Sequence, residues 1–375
     1  MTAGDHRAVS LSVLGADDDR ARSNMVGVLS RNVYFGTMNF AWQQASKYVD
    51  VATASEMLRR FRDAGGTRLD TARIYAGGAT EPMVAEAMAA VEGVDWALGT
   101  KAHPSQAGGL GAEGLEAQLA ASRAAHGDDA FSYAEYYLHQ PDTEHALLES
   151  LEKATALWDA GAFGKLGMSN YHASEVKRCF ELCDVHGFVK PTVYQGLYNP
   201  LNRAVEAELL PLLKANGCAF VAYNGLAAGL LTGKHVSLDA VAAGRFKNNP
   251  NYLPRFYTPA NFAAVASIRD ACDVAGISMV QAAYTWVLKH SALDLARGDG
   301  VLLGASTLDQ LDANIDACRD DGGDDLPGPV LAALDAAWDT TREGAFAYWR
   351  SYSADMPGRD ALDQGASYDA AKKKA

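Results

Sequence analysis

The sequence predicts an α/β fold in which eight parallel strands close into a single (β/α)8 TIM barrel. First, a short apolar run followed by a loop and an amphipathic helix recurs eight times between residues 31 and 350. Second, no linker rich in Pro, Gly or Ser divides this stretch, which disfavours a doubly wound sheet with a second domain. Third, 375 residues accommodate a barrel of roughly 250 residues with additions.

The eight predicted strands are short apolar runs, each ahead of a helical pattern. In chain order they are Val33–Met38, Thr67–Thr71, Asp95–Lys101, Ala134–His139, Lys165–Ser169, Thr192–Gln195, Cys218–Tyr223 and Val301–Gly304.

Capping motifs and apolar spacing predict the helices between these strands. Thr53–Glu56 is a capping box that predicts a helix start, and Gly65–Gly66 predicts the end of that helix. Ser278–Gln281 is a second capping box, ahead of an apolar pattern that continues through Trp286 and Leu288. Spacing at i, i+4, i+7 and i+11 predicts one buried helix face formed by Leu147, Leu151, Ala154 and Trp158.

The segments outside the repeat carry different expectations. Residues 1–30 contain no apolar core of a secretory signal, and we expect a loosely ordered leader there. Residues 351–375 end in a lysine run and are expected to form a polar tail. Residues 224–258 exceed the usual loop length, which predicts a long functional loop over the barrel. Helical patterns after the eighth strand predict C-terminal helices.

The composition excludes several functional classes. There are 46 acidic and 33 basic residues, and the resulting formal net charge of −13 disfavours binding of nucleic acid by bulk charge. No run of 18 apolar residues is present, so we expect no membrane span. Five cysteines in a chain of this length do not make a disulfide framework, which indicates a reducing compartment, the cytoplasm.

Other catalytic motifs are absent or out of context. The nine histidines include no H-x-H pair and no H-E-x-x-H motif, so no metal site is expected. No G-x-S-x-G elbow is present. Gly109–Gly114 matches G-x-G-x-x-G without a tight strand–turn–helix, which indicates a flexible loop. Cys179 and Cys183 are expected to be core residues or free thiols instead of metal ligands. His103 is close enough to Lys101 to enter the barrel mouth, but a solvated loop position is expected for it.

Polar residues or glycine-bearing turns end every predicted strand. In (β/α)8 barrels the active site lies at the carboxyl ends of the strands, where these residues would meet. They are Gly36, Thr37, Asp70, Lys101, His139, Ser169, Asn170, Gln195, Tyr223, Asn224 and Gly304–Ser306. A ring that combines an acid, a base, an imidazole, amides and a phenol indicates catalysis.

Three of these side chains, together with Tyr75 just beyond the second strand, can protonate an oxygen atom. A phenol with a pKa of about 10 is a weak acid at neutral pH, and the nearby ammonium of Lys101 would lower that pKa. Asp70 would keep Lys101 charged, since an unpaired buried ammonium tends to neutralise. His139 would orient a carbonyl oxygen, so that the group protonates this oxygen as a hydride or another nucleophile reaches carbon.

This chain resembles the aldo-keto reductases over about residues 33–350. Its counterparts of the family's catalytic tetrad are Asp70, Tyr75, Lys101 and His139. Further matching motifs are Gly167–Tyr171, Thr192–Asn199, Ala222–Lys234 and Gly304–Asn314. Within the family it looks most like the aflatoxin-aldehyde reductase (succinic semialdehyde reductase) branch, to which Tyr252–Tyr257 and Tyr348–Arg350 are the most specific pointers.

The resemblance implies NADPH-dependent reduction of aldehydes to alcohols, with Tyr75 as the proton donor. Ser169, Asn170 and Gln195 would hold the nicotinamide carboxamide, and Tyr223 would stack on the nicotinamide ring. The loop after Tyr223 would lie along the pyrophosphate, with the adenosine phosphate beyond it. The implied cofactor residues are Gly36, Thr37, Asp70, Ser169, Asn170, Gln195, Tyr223, Asn224, Gly225, Leu226, Ala228, Gly229, Leu231, Gly233, Lys234, Ser306, Thr307, Gln310 and Asn314.

Two departures concern the cofactor. The pyrophosphate loop of the family usually reads Asn-Pro-Leu, whereas this chain has Asn224–Leu226 with a central glycine that adds backbone freedom. Gly304 and Gln310 stand where many relatives carry a Lys and an Arg around the 2′-phosphate. The implied branch also lacks that pair, so NADPH remains the expected cofactor.

The implied substrate residues are His139, Tyr252, Arg255 and Arg350. Two guanidinium groups at the barrel mouth would bind a carboxylate, which predicts carboxylated aldehydes such as succinic semialdehyde, or dicarbonyls of the aflatoxin dialdehyde type. The alternative is that Arg255 is a surface-loop charge and that Tyr348–Trp349 is ordinary packing.

A second functional hypothesis is a binding module. Some members of the superfamily resemble channel-associated β subunits, which bind NADPH and serve chiefly as partners. The tetrad does not discriminate between the two hypotheses, whereas Arg255 and Arg350 favour the reductase. The branch also implies a homodimer.

Overall fold

The computed structural model describes residues 28–366, except residues 31, 44, 46, 242–245, 248, 250 and 321–324. Most of the predicted leader, residues 1–27, and the end of the predicted tail, residues 367–375, lie outside the described residues. Eight parallel strands form a closed barrel in which each strand pairs with the next along the chain and the last pairs with the first. The predicted fold class is therefore confirmed.

Each predicted strand coincides with one barrel strand to within about two residues at most ends. The barrel strands are β2 (Val33–Gly36), β3 (Arg68–Asp70), β4 (Ala97–Ala102), β5 (Tyr133–Leu138), β6 (Phe163–Ser169), β7 (Val193–Leu197), β8 (Ala219–Tyr223) and β9 (Gly300–Gly304). A separate antiparallel pair is formed by β1 (Val28–Leu29) and β10 (Arg319–Asp320).

In the described part of the chain at least one helix follows each barrel strand, with three between β8 and β9 and two after β9. The bounds are α1 (Val51–Asp63), α2 (Thr80–Ala89), α3 (Ala112–Ala125), α4 (Leu147–Asp159), α5 (Ala173–His186), α6 (Leu209–Ala215), α7 (Leu253–Phe256), α8 (Pro259–Ala275), α9 (Met279–Thr285), α10 (Leu308–Ala317) and α11 (Gly328–Thr341). Within the described ranges, no helix is both long enough and apolar enough to cross a membrane.

Two of the helix predictions need correction. The side chain of Asp50 accepts a hydrogen bond from the Thr53 N–H at 2.8 Å, so α1 begins three residues earlier than the predicted capping box at Thr53. Trp158 was expected on the buried face of α4 but is 42 % exposed. It lies in the last turn, and its indole N–H donates to the carbonyl oxygen of Gly164 at 3.2 Å.

The cap predicted at Ser278 is confirmed. Its side chain accepts a hydrogen bond from the Gln281 N–H at 3.0 Å and starts α9. The helix continues from Trp286 to His290 as a π-helical turn, with the Trp286 side chain fully buried. Cys179 and Cys183 are both buried on α5, as expected.

The core forms two layers. The larger cluster fills the space between the strands and the surrounding helices, where burial of each large apolar side chain stabilises the fold by about 1.5–3 kcal/mol. A smaller cluster fills the barrel interior and consists of Tyr34, Tyr137, Val193 and Val221 with Leu302 packed against it. Glu135 accepts hydrogen bonds at 3.0 Å from both interior phenols, so the interior beneath the strand ends is filled.

Strand register aligns the residues that end the first strands. Gly36 pairs with Asp70 on one side and with Gly304 on the other. Asp70 in turn pairs with Gly99, two residues before Lys101. Because paired strands present their ends at the same edge, this register brings the polar strand ends together.

The first part of the predicted polar tail packs against the barrel. Ser353 is buried, and its N–H donates to the Glu175 carboxylate at 2.8 Å. The side chain of Asp355 accepts from the Leu147 N–H at 2.7 Å and forms an ion pair with Arg178. Since Ala146 provides no side-chain cap for α4, a residue more than 200 positions away in sequence caps this helix.

Replacing Asp355 with alanine should lower the free energy of unfolding by about 1–2 kcal/mol at neutral pH, because both the cap and the ion pair are lost. Burial opposes ionisation of Asp355, but bonds from Arg178 and Leu147 hold its pKa below its usual range. This stabilisation is present above the unfolded-state pKa and disappears as the pH falls through the lower folded-state pKa.

Urea unfolding of Asp355→Ala at several pH values, beside the exposed-site control Asp360→Ala, measures this effect. Equal midpoints for the two variants at pH 7 would show that Asp355 does not anchor the segment.

Candidate active site

The carboxyl ends of the barrel strands surround a cavity of about 670 Å³. Most of the residues predicted from the sequence line it. They are Gly36, Asp70, Tyr75, His139, Ser169, Asn170, Gln195, Tyr223, Asn224, Gly225, Leu226, Ala228, Gly229, Lys234, Tyr252, Arg255, Ser306, Gln310, Asn314 and Arg350.

Five of the predicted catalytic, cofactor and substrate residues do not line the cavity. Lys101 lies behind its wall, fully buried. Thr37 is also buried and donates its hydroxyl hydrogen to the Asp70 carbonyl oxygen at 2.9 Å. Leu231 packs in the apolar core, Gly233 ends a 3-10 turn with φ 78°, and the Thr307 side chain caps α10.

A buried ion pair between Asp70 and Lys101 forms the centre of the site. Lys101 Nζ lies 2.7 and 2.6 Å from the two carboxylate oxygens of Asp70 and donates to the Thr71 carbonyl oxygen at 2.8 Å. Gln195 Nε2 donates to Asp70 Oδ1 at 2.8 Å. Burial lowers the pKa of Lys101, and the Asp70 carboxylate opposes this shift.

The same ammonium contacts Tyr75. Lys101 Nζ lies 3.5 Å from Tyr75 Oη and 5.3 Å from the centroid of its ring. Tyr75 begins a tight turn in which Ala76 has a left-handed backbone with φ 47°. The turn is held by an ion pair between Arg73 and the fully buried Glu81. The phenol is therefore placed over a fixed positive charge.

His139 completes the predicted tetrad. Its backbone N–H donates to the Ala102 carbonyl oxygen at 3.0 Å, and its ring lies edge-on to the Tyr75 ring with centroids 5.9 Å apart. Burial is the main reason that the pKa of His139 lies well below its usual value, and the charges of Lys101 and Arg350 lower it further. At neutral pH the imidazole is uncharged, so it can donate or accept one hydrogen bond without carrying charge.

Amide and phenol groups form the neighbouring wall. Asn170 Nδ2 donates to the His139 carbonyl oxygen at 2.8 Å and to Ser169 Oγ at 2.9 Å. Tyr223 Oη donates to Asn170 Oδ1 at 2.8 Å. Asn170 has a left-handed backbone with φ 64°, a conformation that asparagine tolerates better than most residues. These contacts fix the side-chain amide of Asn170 relative to the tetrad.

The loop after β8 is braced although it has glycine in place of the family's proline. Asn199 Nδ2 donates to the Asn224 carbonyl oxygen at 3.0 Å, and the Ala227 N–H donates to the same oxygen at 2.8 Å. Asn224 and Ala228 have positive φ angles of 57° and 56°. Lys234 follows and lines the cavity. The added freedom expected at Gly225 is thus offset by side-chain and backbone bonds on both sides.

The far end of the cavity meets the N-terminus of α10. Gln310 Oε1 accepts hydrogen bonds from the Ser306 N–H at 3.0 Å and from its hydroxyl at 3.1 Å. Asn314 Nδ2 donates to the Gly304 carbonyl oxygen at 3.1 Å. Because the N-terminus of a helix carries partial positive charge, this end favours an anionic group.

Both predicted substrate arginines line the cavity, but they have different surroundings. Arg255 donates to the Ala366 carbonyl oxygen and lies over the Phe346 ring, 5.5 Å from its centroid. The backbone N–H of Arg350 donates to the Asn170 carbonyl oxygen at 2.9 Å, which fixes the Arg350 backbone next to Asn170. Arg255 is therefore held by the C-terminal segment, and Arg350 is the arginine whose charge acts on His139.

Sequence reasoning missed part of the cavity wall. Gln140 and Asp309 directly flank predicted residues, so adjacency in sequence could have identified them. We expected His103 to lie in solvent, but it lines the cavity. The same adjacency applies to Met38, Ile74, His235, Phe256 and Ala313, and Thr232 lies inside the predicted pyrophosphate loop. Leu197 and Leu302 belong to barrel strands. The remaining missed residues have no such signal and are Asn39, Trp42, Ala45, Val280, Tyr284 and Phe346.

No group of three or more His, Cys, Asp or Glu side chains in the described part of the chain could hold a metal ion. The arrangement of Lys101, Tyr75 and His139 supports proton transfer by a phenol, with an ammonium behind it and a neutral imidazole beside it.

Comparison of the sequence with known proteins identifies one family. Residues 32–321 match the model of the Aldo/keto reductase family. Aflatoxin B1 aldehyde reductase member 2 of Rattus norvegicus is 34% identical over 319 residues, which cover 82% of this chain and 86% of the relative. Aldo-keto reductase family 7 member A3 of Homo sapiens is 35% identical over 79% of this chain and 91% of the relative. Oxidoreductase sirO of Leptosphaeria maculans is 34% identical over 84% of this chain and 96% of the relative.

Proposed function

This chain belongs to the aldo/keto reductase family and is an aldehyde reductase, and from that premise we propose that it uses NADPH and that Tyr75 donates the proton. The observation that carries the proposal is the buried Lys101 ammonium, held by Asp70 and 3.5 Å from the Tyr75 oxygen. An ammonium at this distance stabilises the phenolate that remains after proton donation.

The residues of the cavity fit a nicotinamide dinucleotide. The cavity volume lies within the range of about 300–1,000 Å³ typical of small-molecule and cofactor sites. Amide groups of Asn170 and Gln195 stand beside the tetrad, and the amino end of α10 lies at the other extreme. Between them, the Asn224–Lys234 loop can turn backbone N–H groups toward phosphate oxygens.

When bound, NADPH supplies the hydride that adds to the carbonyl carbon. Tyr75 Oη would donate its proton to the carbonyl oxygen, so that an aldehyde gains one hydride and one proton and becomes a primary alcohol. Lys101 would stabilise the resulting phenolate until a proton returns from solvent. The neutral His139 would orient the carbonyl oxygen toward Tyr75.

The family resemblance implies which residues would hold the cofactor, and their places around the cavity support that assignment. Ser169, Asn170 and Gln195 would hold the carboxamide, and the Tyr223 ring would stack against the nicotinamide. Ser306, Gln310 and the N-terminus of α10 would hold the phosphate at the adenosine end, which supports NADPH over NADH.

The proposed substrates are aldehydes with a second oxygen-bearing group, either a carboxylate or a second carbonyl. Arg350 lines the mouth of the cavity beside His139, and its guanidinium would bind that group. The relatives named for aflatoxin B1 aldehyde support the dicarbonyl class.

Two further proposals concern the cellular form of the enzyme. All five cysteines are free thiols and buried, which supports a reducing compartment, the cytoplasm. We also propose a homodimer, as the resemblance implies. Sedimentation of the purified protein measures the oligomeric state.

Tyr75→Phe should lower kcat for succinic semialdehyde by about 10²- to 10⁴-fold, because the variant keeps the ring and loses the transferable proton. The measurement is NADPH consumption at 340 nm, repeated with NADH, and NADPH binding followed by fluorescence should be unchanged. Equal rates for wild type and variant would remove the role of Tyr75. Tight NADPH binding by a wild type that turns over no aldehyde would instead favour the partner-subunit hypothesis.

Arg350→Ala should raise KM for succinic semialdehyde by about tenfold or more, since a charge-assisted contact contributes about 1.5–3 kcal/mol. KM for 4-nitrobenzaldehyde, which carries no carboxylate, should change much less. Arg297→Ala is the matched control, since Arg297 does not line the cavity and its side chain donates to the Lys214 carbonyl oxygen. If Arg350→Ala leaves KM for the carboxylated aldehyde unchanged, Arg350 does not bind the carboxylate.

A further inference from the structure

His103 directly follows β4 and lies two residues after Lys101. Its backbone N–H donates to Gln118 Oε1 at 2.8 Å, and Gln118 Nε2 donates to the Gly109 carbonyl oxygen at 2.8 Å. Gln118 is buried on α3, so the loop that carries His103 is anchored to the barrel wall. These hydrogen bonds fix the backbone of His103, which restricts where its imidazole can lie.

Hydrogen bonds also fix the tautomer of His103. The Ser105 N–H donates to His103 Nδ1 at 3.1 Å, and Ser105 Oγ lies 2.8 Å from the same nitrogen. A ring nitrogen that accepts from a backbone N–H carries no proton, so the neutral ring is protonated on Nε2. The side chain of Gln140 forms a further hydrogen bond with this ring. These contacts hold His103 in one orientation at the cavity wall.

His139 is placed between two aromatic rings, each nearly perpendicular to its own. The Tyr75 ring lies at a centroid distance of 5.9 Å and an angle of 83°, and the His103 ring at 5.0 Å and 88°. Within the described residues, the buried His139 Nδ1 has no hydrogen-bond partner. No hydrogen bond at this nitrogen holds the His139 ring, so the two edge-to-face contacts must restrain its rotation.

We propose that His103 is a positioning residue that holds the His139 ring in the orientation required for aldehyde reduction and excludes water from its buried side. This inference rests on the proposed function, in which His139 orients the carbonyl oxygen. Nothing in the reaction requires His103 to exchange a proton, and its hydrogen bonds to Ser105 and Gln140 engage its ring nitrogens.

The charges around the two imidazoles agree with this role. The groups that act on His139 are Lys101, His103 and Arg350, with Asp70 paired to Lys101 and Tyr75 in ring contact. Burial, reinforced by Arg350, lowers the pKa of His103 to about 4, so it is neutral at pH 7. Burial is also the largest cause of the low pKa of His139. Removing the His103 ring would admit water and let that pKa rise toward its ordinary value of about 6.5.

Two substitutions separate positioning from other roles. His103→Ala removes the ring, whereas His103→Phe keeps an aromatic ring that can pack edge-on but has no ring nitrogen. For 4-nitrobenzaldehyde, His103→Ala should lower kcat about tenfold with an unchanged NADPH dissociation constant, because a misplaced orienting group slows the reaction without loosening the cofactor. His103→Phe should restore most of this loss. His186→Ala, in the last turn of α5, is the matched control.

The readout specific to positioning is the titration of His139, followed by NMR of the histidine-labelled protein without cofactor. In His103→Ala its pKa should rise, and the acid limb of the kcat profile should move to higher pH with it. In His103→Phe both should stay near the wild-type values. If His103→Ala does not fold, His103→Asn takes its place in the same comparison.

An unchanged His139 pKa together with an unchanged kcat in the ring-deleted variant would overturn the proposal. So would a His103→Phe variant as impaired as His103→Ala, because the ring nitrogens would then be the essential feature. Failure of the wild type to reduce any aldehyde would refute the proposed function instead, while the NMR titration would still test the ring contact.

Discussion

The active site depends on one buried ion pair. A lysine ammonium placed in a barrel interior without a partner would lose its charge, and the two Asp70 oxygens, 2.7 and 2.6 Å from Lys101 Nζ, oppose that loss. The pair exists because the register of β3 and β4 aligns Asp70 with Gly99, two residues before Lys101. The filled barrel interior closes the pair from below, where the Tyr137 ring lies 5.5 Å from the ammonium. Tyr75 Oη lies 3.5 Å from the same ammonium, beyond its three shorter contacts to Asp70 and Thr71.

The cavity around this pair contains positive groups that attract anionic ligands, although the net negative charge of the chain repels them. The chain carries a net charge of −13, whereas the proposed cofactor and carboxylated substrates are anionic. Lys234, Arg255 and Arg350 line the cavity, and the N-terminus of α10 adds partial positive charge. Affinity should therefore come from short contacts at the barrel mouth, with little contribution from long-range steering.

Much of this architecture could be predicted from the sequence, because it follows from periodic and local signals. Eight apolar runs gave the barrel, and the rule that barrel active sites lie at strand ends located Asp70, Lys101 and His139. The cap of α1 was misplaced because Asp50, three residues earlier, provides a competing acceptor. The packing of residues 351–366 could not be predicted, because Asp355 caps α4 across more than 200 residues and no local pattern encodes such a contact.

The position of His103 within the site also could not be predicted from the sequence. A histidine after a strand is usually solvated, and its place against His139 depends on the anchoring of its loop by Gln118 and Ser105. Burial and the nearby Arg350 then make it a neutral ring in a cavity where a charged one would repel Arg350. The role of His103 in packing thus emerges only from the folded structure, whereas the charged residues at the strand ends were visible in the sequence.

The central claim is that the Asp70–Lys101 pair makes the Tyr75 phenol acidic enough to donate a proton. The most direct measurement is the pKa of Tyr75, followed by NMR of protein labelled at the tyrosine Cζ carbon and assigned by the signal lost in Tyr75→Phe. The account predicts a lower pKa for Tyr75 in the wild type than in Lys101→Met, where the positive charge is absent. An identical pKa in the two proteins would contradict it.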